Sequence, residues 1–150
     1  MPNYRRPDWF TKNIFNPAVA ALTKLGLPLA GSRVLAVRGR KSGEWRTTPV
    51  NPLALDGQRY LVAPRGHTQW VRNLRVSGAG ELRLGRKTEE FVSQEVPDSE
   101  KVPILRGYLK HWKWEAGMFF DGKGPDSSDA ELQAIAPDHP VFRISPPPAA

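Results

Sequence analysis

Arg38 to Val50 reads RGRKSGEWRTTPV, and the fold follows from what flanks it. Upstream, Arg33 to Arg38 (RVLAVR) reads as a strand because Val34, Leu35 and Val37 are apolar and strand-prone. Gly39 to Gly43 (GRKSG) is a turn. Trp45 to Leu55 (WRTTPVNPLAL) resumes as a second strand, which Pro49 and Pro52 confine to an edge, a bulge or a place where a ligand replaces a neighbouring strand. Asp56-Gly57 then makes a strong hairpin signal leading into Arg59 to Ala63 (RYLVA). Three antiparallel strands are expected from this block.

Further along, Thr68 is placed to cap a short helix through Trp70, Val71 and Leu74 that stops near Gly78. Glu81 to Leu84 and Glu89 to Val96 form a hairpin around Gly85, Arg86 and Lys87. Ser99 is expected to cap a helix reaching about Trp114, with Pro103 in its first turn. Ser128 and Glu131 have capping-box spacing, so a last helix should run to about Ala136, followed by a strand over Val141 to Ile144. Before the block, Trp9, Phe10, Ile14, Phe15, Val19, Leu22 and Leu25 recur at helical spacing, and Asn16-Pro17 has the form of a helix start. Five or six short strands with helices outside them predict an α+β domain on a small antiparallel barrel. The expected organisation is a helical segment over 1–30, a barrel domain over 31–145 and a disordered tail over 146–150.

The chain has 150 residues, no cysteine and a net charge of +7. At this length one hydrophobic core is sufficient for folding without disulfides or a structural metal. Zero cysteines exclude thiol catalysis, iron–sulfur ligation and zinc ribbons. Pro17 to Ser32 is too short, and too interrupted by Lys24 and prolines, to span a bilayer. No charged-then-apolar leader opens the sequence, so a cytoplasmic location is the expectation. Gly31 to Glu90 holds twelve Lys/Arg against five Asp/Glu, which accounts for the entire net charge. An anionic partner held by that segment would explain the concentration, with nucleic acid, acidic lipid and a polyanionic cofactor all qualifying. A solvated basic surface is the plainer reading.

Standard catalytic sites fail on inspection. The sequence contains no HExxH, and His67, His111 and His139 are scattered without carboxylates at ligand spacing, so no metal is expected. GxSxG, GxxxxGKS and GxGxxG are missing too. Glu89 and Glu90 are adjacent on a strand and point to opposite faces. Any enzyme here would borrow its reactivity from a cofactor. The GRKSG turn is the densest remaining signal: Gly39 and Gly43 let the backbone turn sharply, while Arg40, Lys41 and Ser42 present a fork, a point charge and a hydroxyl. Phosphate or carboxylate oxygens suit such a turn, and Arg46 can face the same anion. A basic hairpin tracking a nucleic-acid backbone fits the same residues.

GRKSGEWRTTPV, followed some twenty residues later by Trp70-Val-Arg-Asn73-Leu74, resembles the deazaflavin-dependent nitroreductase family, also called the coenzyme F-420 dependent quinone reductase family. The likeness spans roughly Ser32 to Ile144, and AIAPDHPVFRI over Ala134 to Ile144 resembles the tail of one subgroup. The resemblance implies a split β-barrel of antiparallel strands with flanking helices, and a deazaflavin held in a cleft of that barrel. The deazaflavin's phosphodiester and oligoglutamate tail would match the localised positive charge.

Carried over residue by residue, the resemblance implies that Arg40, Lys41, Ser42, Gly43 and Arg46 grip the phosphate and tail. Pro49, Val50 and Asn51 would line the ring pocket. Ala63, Pro64, Arg65 and Gly66 match the segment after the third strand, with Arg65 a further phosphate contact, and Trp70 and Asn73 would close the pocket. Trp70 and Leu74, at i and i+4, are equally compatible with a core pair. Two departures stand out: Pro64 occupies a position where a small polar residue is common, and Tyr108 to Phe120 carries one tyrosine with His111, Trp112 and Trp114 where the family's late helix supplies several tyrosines.

The implied reaction is hydride transfer from the reduced deazaflavin to an electron-poor small molecule such as a quinone, a nitroaromatic or an activated alkene. Tyr108 and His111 are weak candidates for donating the accompanying proton, solvent being the alternative. Trp112, Trp114, Phe119 and Phe120 would wall the acceptor site or form an ordinary packing face. The competing readings are an FMN-binding split-barrel protein and a basic barrel module that binds nucleic acid. The basic-aromatic amino end is also compatible with peripheral contact to an anionic membrane. Oligomeric state is not legible in the sequence.

Overall fold

The computed structural model describes residues 32–112 and 120–148. The expected amino-terminal helices, with their membrane reading, and the Trp114 and Phe119 part of the aromatic cluster lie outside the described residues. Seven antiparallel strands form one sheet: β1 (Arg33–Arg38), β2 (Trp45–Val50), β3 (Leu53–Leu55), β4 (Gln58–Val62), β5 (Ala79–Leu84), β6 (Lys87–Glu95) and β7 (Val141–Ser145). Helices α1 (Gln69–Ser77), α2 (Val102–His111) and α3 (Asp129–Ile135) flank it.

Strand order is β2-β1-β5-β6-β7-β4-β3. The stretch expected to be a single second strand is therefore two, broken at Asn51-Pro52, and the two pieces occupy opposite edges of the sheet. This break curls the sheet. Seven strands at about 4.8 Å spacing would put the edges about 29 Å apart if flat. Val50 and Leu53 are three Cα steps apart, at most about 11 Å. The sheet must bend until its edges nearly meet, joined by chain continuity rather than by a hydrogen-bonded ladder. That is a split barrel. Ser32 Oγ donates to Asn51 Oδ1 at 2.6 Å, tying the crossover to the start of β1.

Turn chemistry sets the registers. Asp56 and Gly57 both have positive φ (50° and 78°), the backbone a two-residue hairpin needs between Leu55 and Gln58. Gly85, at φ 59°, opens the two-residue turn between β5 and β6. Gly80 pairs with Phe91 at a point with no room for a side chain: a Cβ there would lie 2.8 Å from the Ala36 carbonyl oxygen.

The strand alternation supplies a core to each face of the sheet. Leu35, Val37, Leu61, Leu82, Phe91, Phe142 and Ile144 pack with Val71 and Leu74 of α1. On the other face Leu53, Tyr60, Val62 and Val141 meet Leu105, Tyr108 and Leu109 of α2 and Leu132 of α3. Helix α2 begins at Val102, three residues after the expected Ser99 cap, because Asp98–Glu100 forms its own single turn. Lys101 is buried at this junction, bonding the Ala136 carbonyl (2.8 Å) and Asp98 (2.7 Å), and so fixes where α2 starts relative to the end of α3. The capping box at Ser128 and Glu131 forms as expected. No helix among the described residues is long and apolar enough to cross a membrane.

Candidate functional site

The GRKSG turn joins β1 to β2 and is closed by Gly39 N to Glu44 O (2.8 Å) and Gly43 N to Gly39 O (2.9 Å), with Gly43 at φ 76°. On β2, Arg46 and Thr48 pair with Val37 and Leu35 and so share the face that packs on α1. Between that face, the turn and the amino end of α1 lies a cleft of about 610 Å³. Its walls are Val37, Gly39, Arg40, Lys41, Ser42, Arg46, Thr47, Thr48, Thr68, Gln69, Trp70 and Asn73.

Arg40 bridges the cleft. Its backbone N–H and its Nη1 both donate to Asn73 Oδ1 (3.1 and 2.8 Å), and Nη1 also donates to Gln69 Oε1 (2.9 Å). Asn73 is buried and neutral, so it orients the guanidinium without cancelling its charge. Among the described residues no salt bridge reaches Arg40, Lys41 or Arg46, whereas Arg59, Arg75 and Arg83 of the same basic segment pair with Glu89, Glu95 and Glu81. Among the described residues the lining contains no carboxylate. Such a wall holds oxygen anions, and the dipole of α1, whose first residues face the cleft, has the same preference.

A clasp behind the cleft holds α1. His67 Nε2 lies 3.0 Å from the Pro137 carbonyl oxygen, and Nδ1 lies 3.1 Å from Arg75 Nη1. A carbonyl only accepts and a guanidinium only donates, so the ring is the neutral Nε2–H tautomer. Arg75 also grips Glu95 at both oxygens (2.8 and 2.7 Å), which lowers the Glu95 carboxyl below the ordinary range and raises the Arg75 guanidinium. Arg72 Nε adds a bond to the His67 carbonyl (3.0 Å).

Of the residues singled out from sequence, Arg40, Lys41, Ser42, Arg46, Trp70 and Asn73 come together in this cleft, with Gly43 at the turn's end. Trp70 lines the cleft and packs on Phe142, with ring centroids 6.0 Å apart. Pro49, Val50 and Asn51 lie on the far part of β2 and the crossover, outside the lining; Val50 packs against the α1-side core. Ala63 is buried in that core. Pro64 and Arg65 line a second depression of about 570 Å³ with Asp121, Asp138 and His139, and Gly66, at φ 87°, abuts the Asp138 carbonyl. Tyr108 is buried in the other core beside Phe120, and His111 is exposed edge-on to Trp112. Neither lines the cleft.

Thr47, Thr48, Thr68 and Gln69 are wall residues that sequence reasoning missed. The first two were legible as the residues following Arg46 on the same edge strand. Thr68 was read only as a helix cap, yet its side chain makes no capping bond.

A family model described as F420H(2)-dependent quinone reductase matches residues 11–113, more than half of the chain. The chain belongs to this family. It is therefore a coenzyme F-420 dependent oxidoreductase, as its sequence resemblance implied. Solved structures agree on the split-barrel fold. An F420-H2 dependent reductase (FDR-A) is 17% identical with a TM-score of 0.51, over 77% of this chain and 95% of its own. The conserved hypothetical protein Rv2991 from Mycobacterium tuberculosis is 18% identical with a TM-score of 0.54, over 96% and 86%. HutZ, a heme storage protein from Vibrio cholerae, is 13% identical with a TM-score of 0.52, over 89% and 91%. No curated protein sequence matches the chain.

The cleft fits coenzyme F-420. Among the described residues its cations have no carboxylate partner and no carboxylate lines it, which suits a phosphodiester and a glutamate tail, and Trp70 offers apolar surface for a ring.

Proposed function

We propose that the cleft between the GRKSG turn and α1 seats coenzyme F-420 and that the acceptor reduced there is a quinone or another electron-poor small molecule. When bound in its reduced form the deazaflavin supplies a hydride, a two-electron step with no catalytic side chain required for electron transfer. The chain binds, orients and excludes water. Arg40, held by Asn73 and Gln69, is the fixed donor for the phosphate; Lys41 and Arg46 follow the anionic tail; Trp70 bounds the ring. Tyr108 and His111 lie off the cleft, so the accompanying proton comes from solvent. The observation that carries this reading is the set of cations, without carboxylate partners among the described residues, facing the start of α1 across one cavity.

Fluorescence titration with oxidised coenzyme F-420 at two ionic strengths tests it. Affinity should fall as salt rises, and Arg40→Ala/Lys41→Ala/Arg46→Ala should weaken binding by at least about tenfold and flatten the salt dependence. Unchanged affinity in the triple variant would refute the assignment. FMN binding equal to that of the deazaflavin would favour the flavin alternative, and a steep salt slope with DNA or RNA the nucleic-acid one. Turnover of reduced deazaflavin with a panel of quinones, nitroaromatics and enones identifies the acceptor.

A further inference from the structure

Thr68 stands at the start of α1 with an extended backbone (φ −79°, ψ −178°). From that geometry a threonine ordinarily bonds an N–H of the first helical turn. Here it does not, and its Oγ1 is shielded from water with no hydrogen-bond partner among the described residues. Buried hydroxyls without partners are uncommon and destabilise the fold that contains them. Among the described residues three other shielded side-chain atoms are in this state, on Trp112, His139 and Arg143, and none of those residues lines the cleft. Thr68 does.

Its surroundings define the missing partner. Next to it in sequence, Gln69 accepts from Arg40, and across the cavity stand Lys41, Ser42 and Arg46. This wall is rich in donors, so what it lacks is an acceptor brought by a ligand. Thr68 is only partly buried although Oγ1 is shielded, so atoms other than the hydroxyl meet the cavity. One rotamer step about Cα–Cβ exchanges hydroxyl and methyl. The step breaks no hydrogen bond, because none is made.

We propose that Thr68 is a ligand-binding residue whose hydroxyl swings into the cleft and donates to a phosphate oxygen of the deazaflavin. This rests on the assignment of the cleft to coenzyme F-420 and adds to it a neutral donor opposite the GRKSG cations. Thr68 then helps the protein distinguish the phosphorylated cofactor from its bare riboside.

Two variants and two probes test the idea. Thr68→Val keeps the shape and removes the hydroxyl; Thr68→Ser keeps the hydroxyl. Each is titrated with oxidised coenzyme F-420 and with the deazaflavin riboside that lacks the phosphodiester and tail, and the melting temperature of the ligand-free protein is recorded. Thr68→Val should weaken coenzyme F-420 binding by about tenfold, leave riboside binding unchanged and melt no lower than wild type. Thr68→Ser should bind coenzyme F-420 within about twofold of wild type. Wild-type affinity for coenzyme F-420 in Thr68→Val overturns the proposal, as does an equal loss with both probes, which would mark a structural role. If wild type binds but the Val variant is unaffected, only the Thr68 inference falls. If wild type itself fails to bind, the cleft assignment falls with it.

Discussion

Asn73 shows how a neutral side chain can serve a charged site. One buried oxygen receives both the main-chain N–H and the guanidinium of Arg40, so turn and helix are held together by the residue that also aims the charge. Asn73→Leu leaves the Arg40 main-chain N–H without its acceptor and the guanidinium with Gln69 alone; chemical denaturation should show a loss of about 1–3 kcal/mol, and coenzyme F-420 titration a weaker complex. The proton donors give the opposite expectation. A positioned general acid contributes about 10²- to 10⁴-fold, so Tyr108→Phe and His111→Ala, both off the cleft, should each keep quinone reduction within about twofold; a loss of that larger size in either would place it in the mechanism. His139 governs a different property. Burial holds its imidazole below the ordinary histidine range, offset in part by the backbone of Ala63 and Pro64 and by Asp138. The unfolded chain therefore takes up a proton that the folded chain refuses, and stability falls as pH drops below the ordinary histidine value. Melting temperature should decline from about pH 7 to pH 5, and His139→Gln should flatten that decline.

At the level of elements, Gly80 of β5 sits between Ala36 of β1 and Phe91 of β6 with no room for a side chain. A methyl group there would press on the Ala36 carbonyl at 2.8 Å and on the Phe91 ring at 2.9 Å, and the first of these is backbone held in a ladder. Gly80→Ala should cost about 1–3 kcal/mol, measured by denaturant titration, even though φ at Gly80 is not positive. Elements governed by local chemistry were legible in the sequence: the Asp56-Gly57 turn, the stop at Gly78, the box at Ser128 and Glu131, the edge character that Pro49 imposes on β2. What the sequence could not convey was which edge. Nothing in WRTTPVNPLAL records that its halves lie on opposite sides of a sheet, because that follows from closure of the whole barrel. The start of α2 was misplaced for a related reason, since Lys101 is fixed by a carbonyl 35 residues away. The cleft divides in the same manner. Arg40, Lys41 and Arg46 announce themselves by charge, and Trp70 and Asn73 by resemblance, whereas Thr68 and Gln69 are ordinary polar residues until the fold brings them opposite the turn.

Across the whole molecule, two cores share one sheet. Leu74 and Leu132 are both fully buried, on opposite faces, and Leu61 and Val62 are consecutive residues of β4 that enter different cores. A strand cannot leave one core and remain in the other, so the faces should unfold together. Leu74→Ala and Leu132→Ala should each cost about 2–5 kcal/mol. The informative quantity is how each transition looks through different probes. Far-ultraviolet circular dichroism and tryptophan fluorescence should give coincident melting curves in wild type and in both variants, with the midpoint lowered and the cooperativity retained. If Leu132→Ala instead split the transition, with the Trp112 environment lost while the α1 side with Trp70 kept its native signal, the α2–α3 layer would be a separable unit. The cleft, whose described lining comes from the GRKSG hairpin, Thr68 and α1, should then bind coenzyme F-420 without that layer.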